Sequence, residues 1–344
     1  MPLESKFLTL ADGCSLRRLD TACVYDKAAD ELYEVDDKGF EFLGRCDGTK
    51  TTRELGGDPE FVGYCLKKGI ITALQQPFKR YFNSGISPRM SLRYLEIHIT
   101  SRCNLRCRHC YLGDKEGRDL ELMRVFSVFD QFDRLQGLRM LITGGEPMLH
   151  KGFWYINERL RDYGFSSVLL TNGSLINREA ANRLKAHEAQ VSVDGMQASH
   201  DALRGEGSFS KALQAIESMV SAGIKVAVAT MATTLNKGEM DEMRALMESL
   251  GVAGWTVDAP SPSGRFKENS ELMLPPEEAA PCLSYGFGGG HHGSPEGYAC
   301  GAHLCAVGPA GQVAKCGFYI DRPAGDIKEG LGTCWERIAG PRLD

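Results

Sequence analysis

The chain has 344 residues, 42% of them hydrophobic and 25% charged, with a formal net charge of -5 at pH 7. That is the composition of a globular protein with room for two or three hydrophobic cores; it makes no global electrostatic case for nucleic acid, and no apolar run approaches the length needed to cross a bilayer. Acidic residues come early and no basic-then-apolar export signal is visible, so the twelve cysteines point to the reducing cytoplasm and to metal ligation rather than disulfides.

Residues 1–75 read as a small α+β unit. Val24, Leu32, Tyr33 and Val35 lie in strand-like runs around the polar pair Asp26 and Lys27, while Phe40, Phe42 and Leu43, then Phe61, Tyr64 and Leu66, mark two amphipathic helices. Cys14, Cys23, Cys46 and Cys65 are scattered among its apolar residues, as buried free thiols would be. Residues 76–91, with Pro77, Asn83, Gly85 and Pro88, form a linker. Over residues 92–262 six strand-like runs (94–99, 140–143, 168–171, 191–193, 226–230 and 255–258) alternate with helical stretches (120–135, 153–163, 178–186, 209–222 and 239–250). This is the pattern of a parallel α/β sheet, open or curled into part of a barrel, whose ligand chemistry belongs at the carboxyl ends of the strands. Residues 263–344 are rich in Gly, Pro and Ser, and runs 304–307 and 312–316 around Pro309, Ala310 and Gly311 suggest a hairpin.

Directly after the first of these six strands stand Cys103, Cys107 and Cys110 at CxxxCxxC spacing. Three thiolates in one loop can each bind a corner iron of a 4Fe-4S cube and leave the fourth iron open to another ligand. Structural zinc takes four closed ligands, and no fourth cysteine stands nearby. One strand–helix–strand unit later comes the run Thr143, Gly144, Gly145, Glu146, Pro147 at a strand end. Its glycines permit close backbone approach to a bound molecule, and Glu146 offers a carboxylate to an ammonium group.

Together these motifs resemble the radical S-adenosylmethionine (SAM) superfamily over residues 92–258. The resemblance implies a partial (β/α)6 TIM barrel in which the open iron binds the amino and carboxylate groups of SAM, and the reduced cluster splits SAM into methionine and a 5'-deoxyadenosyl radical. It implies cluster ligation by Cys103, Cys107 and Cys110, packing of His109 near the adenine, and a methionine-amino-binding turn at Gly144, Gly145 and Glu146. It further implies SAM contacts from Ser192 and from Arg204 to the carboxylate; Asn172, at a strand end facing the proposed site, is a candidate to bind the ribose. Taken alone, Ser192 is equally a small residue in a packed strand, Arg204 a solvated helix residue, and Asn172 with Gly173 a turn.

Cys300, Gly311 and Cys316 follow the order Cys-x10-Gly-x4-Cys, which resembles the start of the twitch or SPASM extension of radical SAM enzymes. That likeness implies an auxiliary iron-sulfur cluster, with Cys334 and Cys282 completing the ligand set and Cys305 as a spare. The chain stops at Asp344 before the further cysteines of the longer form, so a twitch form or a truncated reading frame is expected. A zinc site of Cys300, Cys305 and Cys316 with His291, His292 or His303 competes, as does a lone cysteine donating hydrogen to a substrate radical. Residues 1–75 resemble the peptide-chaperone domain of pyrroloquinoline quinone biosynthesis, the RiPP recognition element. This implies a winged-helix-like fold with a strand edge that accepts a leader peptide; a winged helix that only packs is the alternative. The combined expectation is a RiPP maturase that modifies a peptide or protein and is reduced by a donor such as flavodoxin or ferredoxin. A maturase for a metalloenzyme or tetrapyrrole cofactor, and a non-catalytic iron-sulfur or zinc scaffold, are the other readings.

Overall fold

A computed structural model describes residues 2–82, 85, 87–113, 116–288 and 303–340. The chain divides into two compact units. One comprises Met1–Arg93 with Phe129–Arg139 and Asp162–Ser166; the other comprises Tyr94–Val128, Met140–Arg161 and Ser167–Asp344.

The first unit runs β1 (Phe7–Leu10), β2 (Cys14–Arg18), β3 (Ala22–Asp26), β4 (Glu31–Glu34), α1 (Asp37–Arg45), β5 (Asp47–Thr51), α2 (Thr52–Leu55), α3 (Pro59–Lys67) and β6 (Ile71–Leu74). Strands β2, β3 and β4 form an antiparallel meander, and β1 lies between β5 and β6 in a second three-stranded sheet. The helix starts are written locally. Asp36 accepts from the Gly39 N–H ahead of α1, Thr51 and Glu54 close a reciprocal capping box on α2, and Asp58 precedes Pro59 at the first position of α3. Leu8, Leu10, Leu16, Val24, Phe42, Leu43 and Val62 fill the core, together with Cys14, Cys46 and Cys65. Burial pushes the Cys46 thiol up to about 12, as suits an inert core thiol. Arg17 is also buried, its guanidinium 2.7 Å from Asp133.

The second unit contributes β7 (Tyr94–Thr100), α4 (Leu122–Arg134), β8 (Arg139–Gly144), α5 (Phe153–Arg159), β9 (Ser166–Thr171), α6 (Arg178–Arg183), β10 (Glu188–Ser192), α7 (Gln197–Arg204), α8 (Ser208–Ser221), β11 (Lys225–Met231), α9 (Met240–Ser249), β12 (Gly254–Asp258), α10 (Pro276–Leu283), β13 (Leu304–Val307), β14 (Gln312–Ala314), β15 (Gly325–Asp326) and α11 (Leu331–Ala339). The ends of α4, β8 and β9 that belong to the first unit make these elements common to both. Among the described residues, nine strands form one mixed sheet in the order β12-β11-β10-β9-β8-β7-β13-β14-β15. The pairs β9–β10, β10–β11, β11–β12 and β7–β13 are parallel, whereas β13–β14 and β14–β15 are antiparallel. The strands are buried almost continuously, as a sheet covered on both faces requires. Helix α8 shows the matching helical pattern: Phe209, Ala212, Ala215, Ile216 and Met219 share its buried stripe.

The expected strands and helices of this unit recur with shifted ends. The 153–163 stretch splits into α5 and a 3-10 turn at Leu160–Asp162. The hairpin forms around Gly311, whose φ of +93° favours glycine, but β14 stops at Ala314 and Cys316 starts a 3-10 turn. No helix among the described residues is long and apolar enough to cross a membrane.

Candidate active site

A cavity of about 940 Å³ opens at the carboxyl ends of β8 to β12 and reaches Glu96 on β7. Residues two apart on four of these strands line it: Leu141 and Thr143 on β8, Gln190 and Ser192 on β10, Ala229 and Met231 on β11, Thr256 and Asp258 on β12. This is the period of a strand turning one face inward. The cysteine loop after β7 forms another wall, and Cys103, Cys107, His109 and Cys110 all line the cavity. So do Gly144, Gly145, Asn172, Ser192 and Arg204, which brings nine of the expected cofactor residues to one space.

Burial raises the Cys103 thiol and pushes Cys107 up to about 11, with the Arg204 guanidinium opposing the shift at both. A cluster binding here would have to displace those protons. Two polar groups are directed at the sulfurs: Arg204 Nη1 is 3.9 Å from Cys107 Sγ, and Asn172 Nδ2 is 3.9 Å from Cys103 Sγ. Three thiols in one loop, with hydrogen-bond donors aimed at two of them, fit a cluster held by thiolates and tuned from its surroundings.

Glu146 stands elsewhere than expected. It does not line the cavity; its carboxylate is fully buried and accepts from Thr171 Oγ1, the Asn172 N–H and the Met148 N–H. Burial raises its carboxyl to about 7 despite those three donors. The paired glycines also serve a tighter purpose than ligand approach. A Cβ on Gly144 would meet Thr100 O at 2.1 Å, and one on Gly145 would meet Arg102 O at 2.2 Å. The Gly145 and Glu146 N–H groups donate to Thr100 O and Arg102 O at 2.9 and 2.8 Å, so this turn clamps the cysteine loop.

Arg204 is no solvated helix residue. Its Nε lies 2.5 Å from Asp194 Oδ2, which also faces His109 Nε2 at 3.0 Å. Burial disfavours ionised Asp194, but Arg204 and His109 hold the carboxyl well below the usual carboxylate range. His109 Nδ1 is buried without a hydrogen-bond partner among the described residues. Two further residues, Arg265 and Glu96, escaped sequence reasoning. Arg265, after β12, donates from its backbone N–H to Cys110 O and from Nε to Cys107 O, both at 3.0 Å. Glu96 accepts from Tyr111 OH at 3.2 Å and from the Gly317 N–H at 3.1 Å, and the Tyr111 ring lies 4.5 Å from that of Phe318. Neither Arg265 nor Glu96 belongs to a short motif.

Of the second cysteine group, Cys300 lies outside the described residues, as do His291 and His292. Cys282, Cys305, Cys316 and Cys334 are buried. Cys282 sits on α10 against β12, with its thiol donating to Glu278 O; Cys334 sits on α11 beside β14 and β15, donating to Asp326 O. These are opposite ends of the strand order. Among the described residues no three His, Cys, Asp or Glu side chains are gathered to hold a single metal ion.

Residues 97–250 match the family model described as "Radical SAM superfamily". That stretch is a radical SAM domain, of a family that implies a 4Fe-4S cluster and SAM. It is 32% identical over 201 residues to the mycofactocin maturase MftC of Mycobacterium ulcerans, a match covering 56% of this chain and 53% of that protein, so about half the relative's length. To the AdoMet-dependent heme synthase of Nitratidesulfovibrio vulgaris it is 29% identical over 200 residues, 54% of this chain and 53% of that one. In fold it is similar to Streptococcus suis SuiB bound to its precursor peptide SuiA, with TM-score 0.69, 13% identity, and coverage of 95% of this chain and 88% of that one.

Proposed function

We propose that the chain is a RiPP-type maturase that uses SAM to modify a peptide or protein in the cytoplasm, with flavodoxin or ferredoxin as electron donor. The observation that carries the radical chemistry is the convergence of Cys103, Cys107 and Cys110 on a cavity built from successive strand ends. When bound, the 4Fe-4S cluster and SAM would supply 5'-deoxyadenosyl radical chemistry at the cavity. The three cysteines hold the cluster; Ser192, Arg204 and Asn172 orient SAM by hydrogen bonds; Gly144 and Gly145 keep the cysteine loop close to the β8 turn. Glu146 acts by fixing the Thr171–Asn172 turn rather than by touching the ligand. In this reading residues 92–262 form the partial barrel, 76–91 the linker, and 263–344 a twitch-like extension with an auxiliary cluster drawn from Cys300, Cys316 and Cys334.

Residues 1–75 serve in this reading as the winged-helix-like leader-binding domain. Among the described residues strand β4 has a single neighbour in its sheet, and its Leu32 is 40% exposed. Such an edge can accept an extended peptide as a further strand. Similarity to a mycofactocin maturase and a fold shared with a peptide-bound enzyme both support the substrate class.

Short peptides encoded beside the gene would be labelled and titrated into the full chain, with binding read by fluorescence anisotropy. Leu32→Asp is expected to weaken binding about tenfold while 5'-deoxyadenosine formation in the absence of peptide persists. Equal affinities for both chains would overturn leader docking at β4. A tetrapyrrole maturase is the second reading, favoured by the likeness to a heme synthase; tight porphyrin binding, read by visible absorbance, without peptide retention would establish it instead.

A further inference from the structure

Asp194 lies just beyond β10 and is fully buried. Both of its carboxylate oxygens are committed. Oδ2 takes Arg204 Nε at 2.5 Å and faces His109 Nε2 at 3.0 Å, while Oδ1 accepts from the Met231 N–H at 2.8 Å. Its own N–H donates to His200 Nδ1 at 3.1 Å. The acid is therefore pinned to β11 through Met231 and to α7 through His200, and it reaches the cysteine loop through His109.

That arrangement decides which edge of Arg204 is free. With Nε occupied, the Nη1–Nη2 edge is what remains of a guanidinium that lines the cavity. Nη1 stands 3.9 Å from Cys107 Sγ, and Nη2 makes no hydrogen bond among the described residues. A planar guanidinium recognises a carboxylate through two N–H groups only when its plane is fixed, and an unanchored arginine loses that geometry to rotation.

We propose that Asp194 is the positioning residue of the cofactor site, holding Arg204 by Nε so that its Nη edge meets both the Cys107 sulfur and the carboxylate of SAM. Asp194 touches neither cluster nor SAM; it acts through Arg204. The proposal rests on the reading of Cys103, Cys107 and Cys110 as cluster ligands and of the cavity as the SAM site.

The test uses the anaerobically reconstituted full chain, with iron content measured first and SAM affinity then read from the SAM-induced change in the electron paramagnetic resonance signal of the reduced cluster. Asp194→Asn is expected to load iron as the wild type does and to bind SAM about 10- to 100-fold more weakly, the effect of losing a hydrogen bond to a charged group. Arg204→Gln should weaken SAM binding to a similar degree, and adding Asp194→Asn to it should cost little more, because a residue that works through Arg204 has nothing left to position. A merely structural acid would give additive losses. Because Asp194→Asn alone strands a buried charge, the neutral pair D194N/R204Q is made in parallel. Wild-type SAM affinity in an iron-loaded Asp194→Asn chain or in the neutral pair overturns the proposal, as does additivity. Failure of both to load iron overturns it too, since Asp194 would then be a requirement of the fold. Wild-type chain that loads no iron or binds no SAM would instead sink the underlying cofactor reading.

Discussion

Replacing Gly145 by alanine would drive a methyl group into the cysteine loop. The added Cβ would stand 2.2 Å from Arg102 O, 2.6 Å from Arg102 C and 2.9 Å from Cys103 Cβ. Carbon atoms pack at roughly 3.5 Å and carbonyl oxygens only slightly closer, so the loop must retreat by about 1 Å. The retreat stretches the hydrogen bonds from the Gly145 N–H to Thr100 O and from the Glu146 N–H to Arg102 O. Overpacking costs about 1–3 kcal/mol and two weakened hydrogen bonds about 1 kcal/mol each, a total of roughly 3–5 kcal/mol. A domain stable by about 5–15 kcal/mol survives that loss. The site does not, because a constellation of ligands tolerates displacement of only about 0.5 Å. Gly145→Ala should therefore fold, as judged by far-UV circular dichroism and a urea transition, yet bind little iron after anaerobic reconstitution. Gly207→Ala is the control: its φ of +74° carries strain but nothing lies within 4 Å of the added Cβ, so iron loading should match the wild type. Wild-type iron content and 5'-deoxyadenosine formation in Gly145→Ala would refute the clamp.

Cys110→Ala should abolish 5'-deoxyadenosine formation with dithionite and SAM while leaving the secondary structure intact; product from this variant would remove Cys110 from the ligand set. Burial raises the Glu146 carboxyl from 4.5 to about 7. The folded chain therefore keeps a proton that the unfolded chain has already lost, and the unfolding free energy of the cluster-free protein should fall as pH rises from 4.5 to 7, by on the order of 3 kcal/mol. Glu146→Gln should flatten that slope in urea titrations across the window, and an unchanged slope would assign it to another group. Trp335 on α11 is 0% exposed, so Trp335→Ala should cost about 3–5 kcal/mol, whereas Phe78→Ala, at a side chain 70% exposed, should lie within about 0.5 kcal/mol of the wild type by chemical denaturation.

The six central strands were legible because each is a short apolar run and five helical stretches separate them; β9, read as residues 168–171, extends only to Ser166–Thr171. The N-terminal strands β1, β2, β5 and β6 were not. Arg17 shows why: a charged residue in a five-residue run argues against a buried strand, yet it is buried because Asp133, 116 residues away, supplies the counter-charge. The same holds within the site. Spacing marks Cys103, Cys107 and Cys110 because one loop must present all three. Asp194, Arg265 and Glu96 act through partners that no local pattern contains. Glu146 is legible as part of a turn, but which way its carboxylate points depends on Thr171 and Asn172 one strand over.

The cysteine loop has no regular structure of its own, and fixing each of its residues costs roughly 1–2 kcal/mol in backbone entropy. Three distant segments offset that cost. The β8 turn bonds Thr100 O and Arg102 O; Leu203 O at the end of α7 accepts from the Arg108 N–H at 2.9 Å; and Arg265 bonds Cys107 O and Cys110 O. Gly264 permits the last approach, since a Cβ there would meet Cys110 O at 2.3 Å. Each anchor grips the backbone within three residues of a cysteine, so the loop is ordered by segments that also form the cavity. Cluster and cofactor are thereby tied to one frame: a change that moves β8, α7 or the segment after β12 moves a thiol and a cavity wall together. Loss of iron and loss of SAM affinity should therefore travel together for mutations in these anchors, and separate only where a side chain such as Arg204 meets the ligand without carrying the loop.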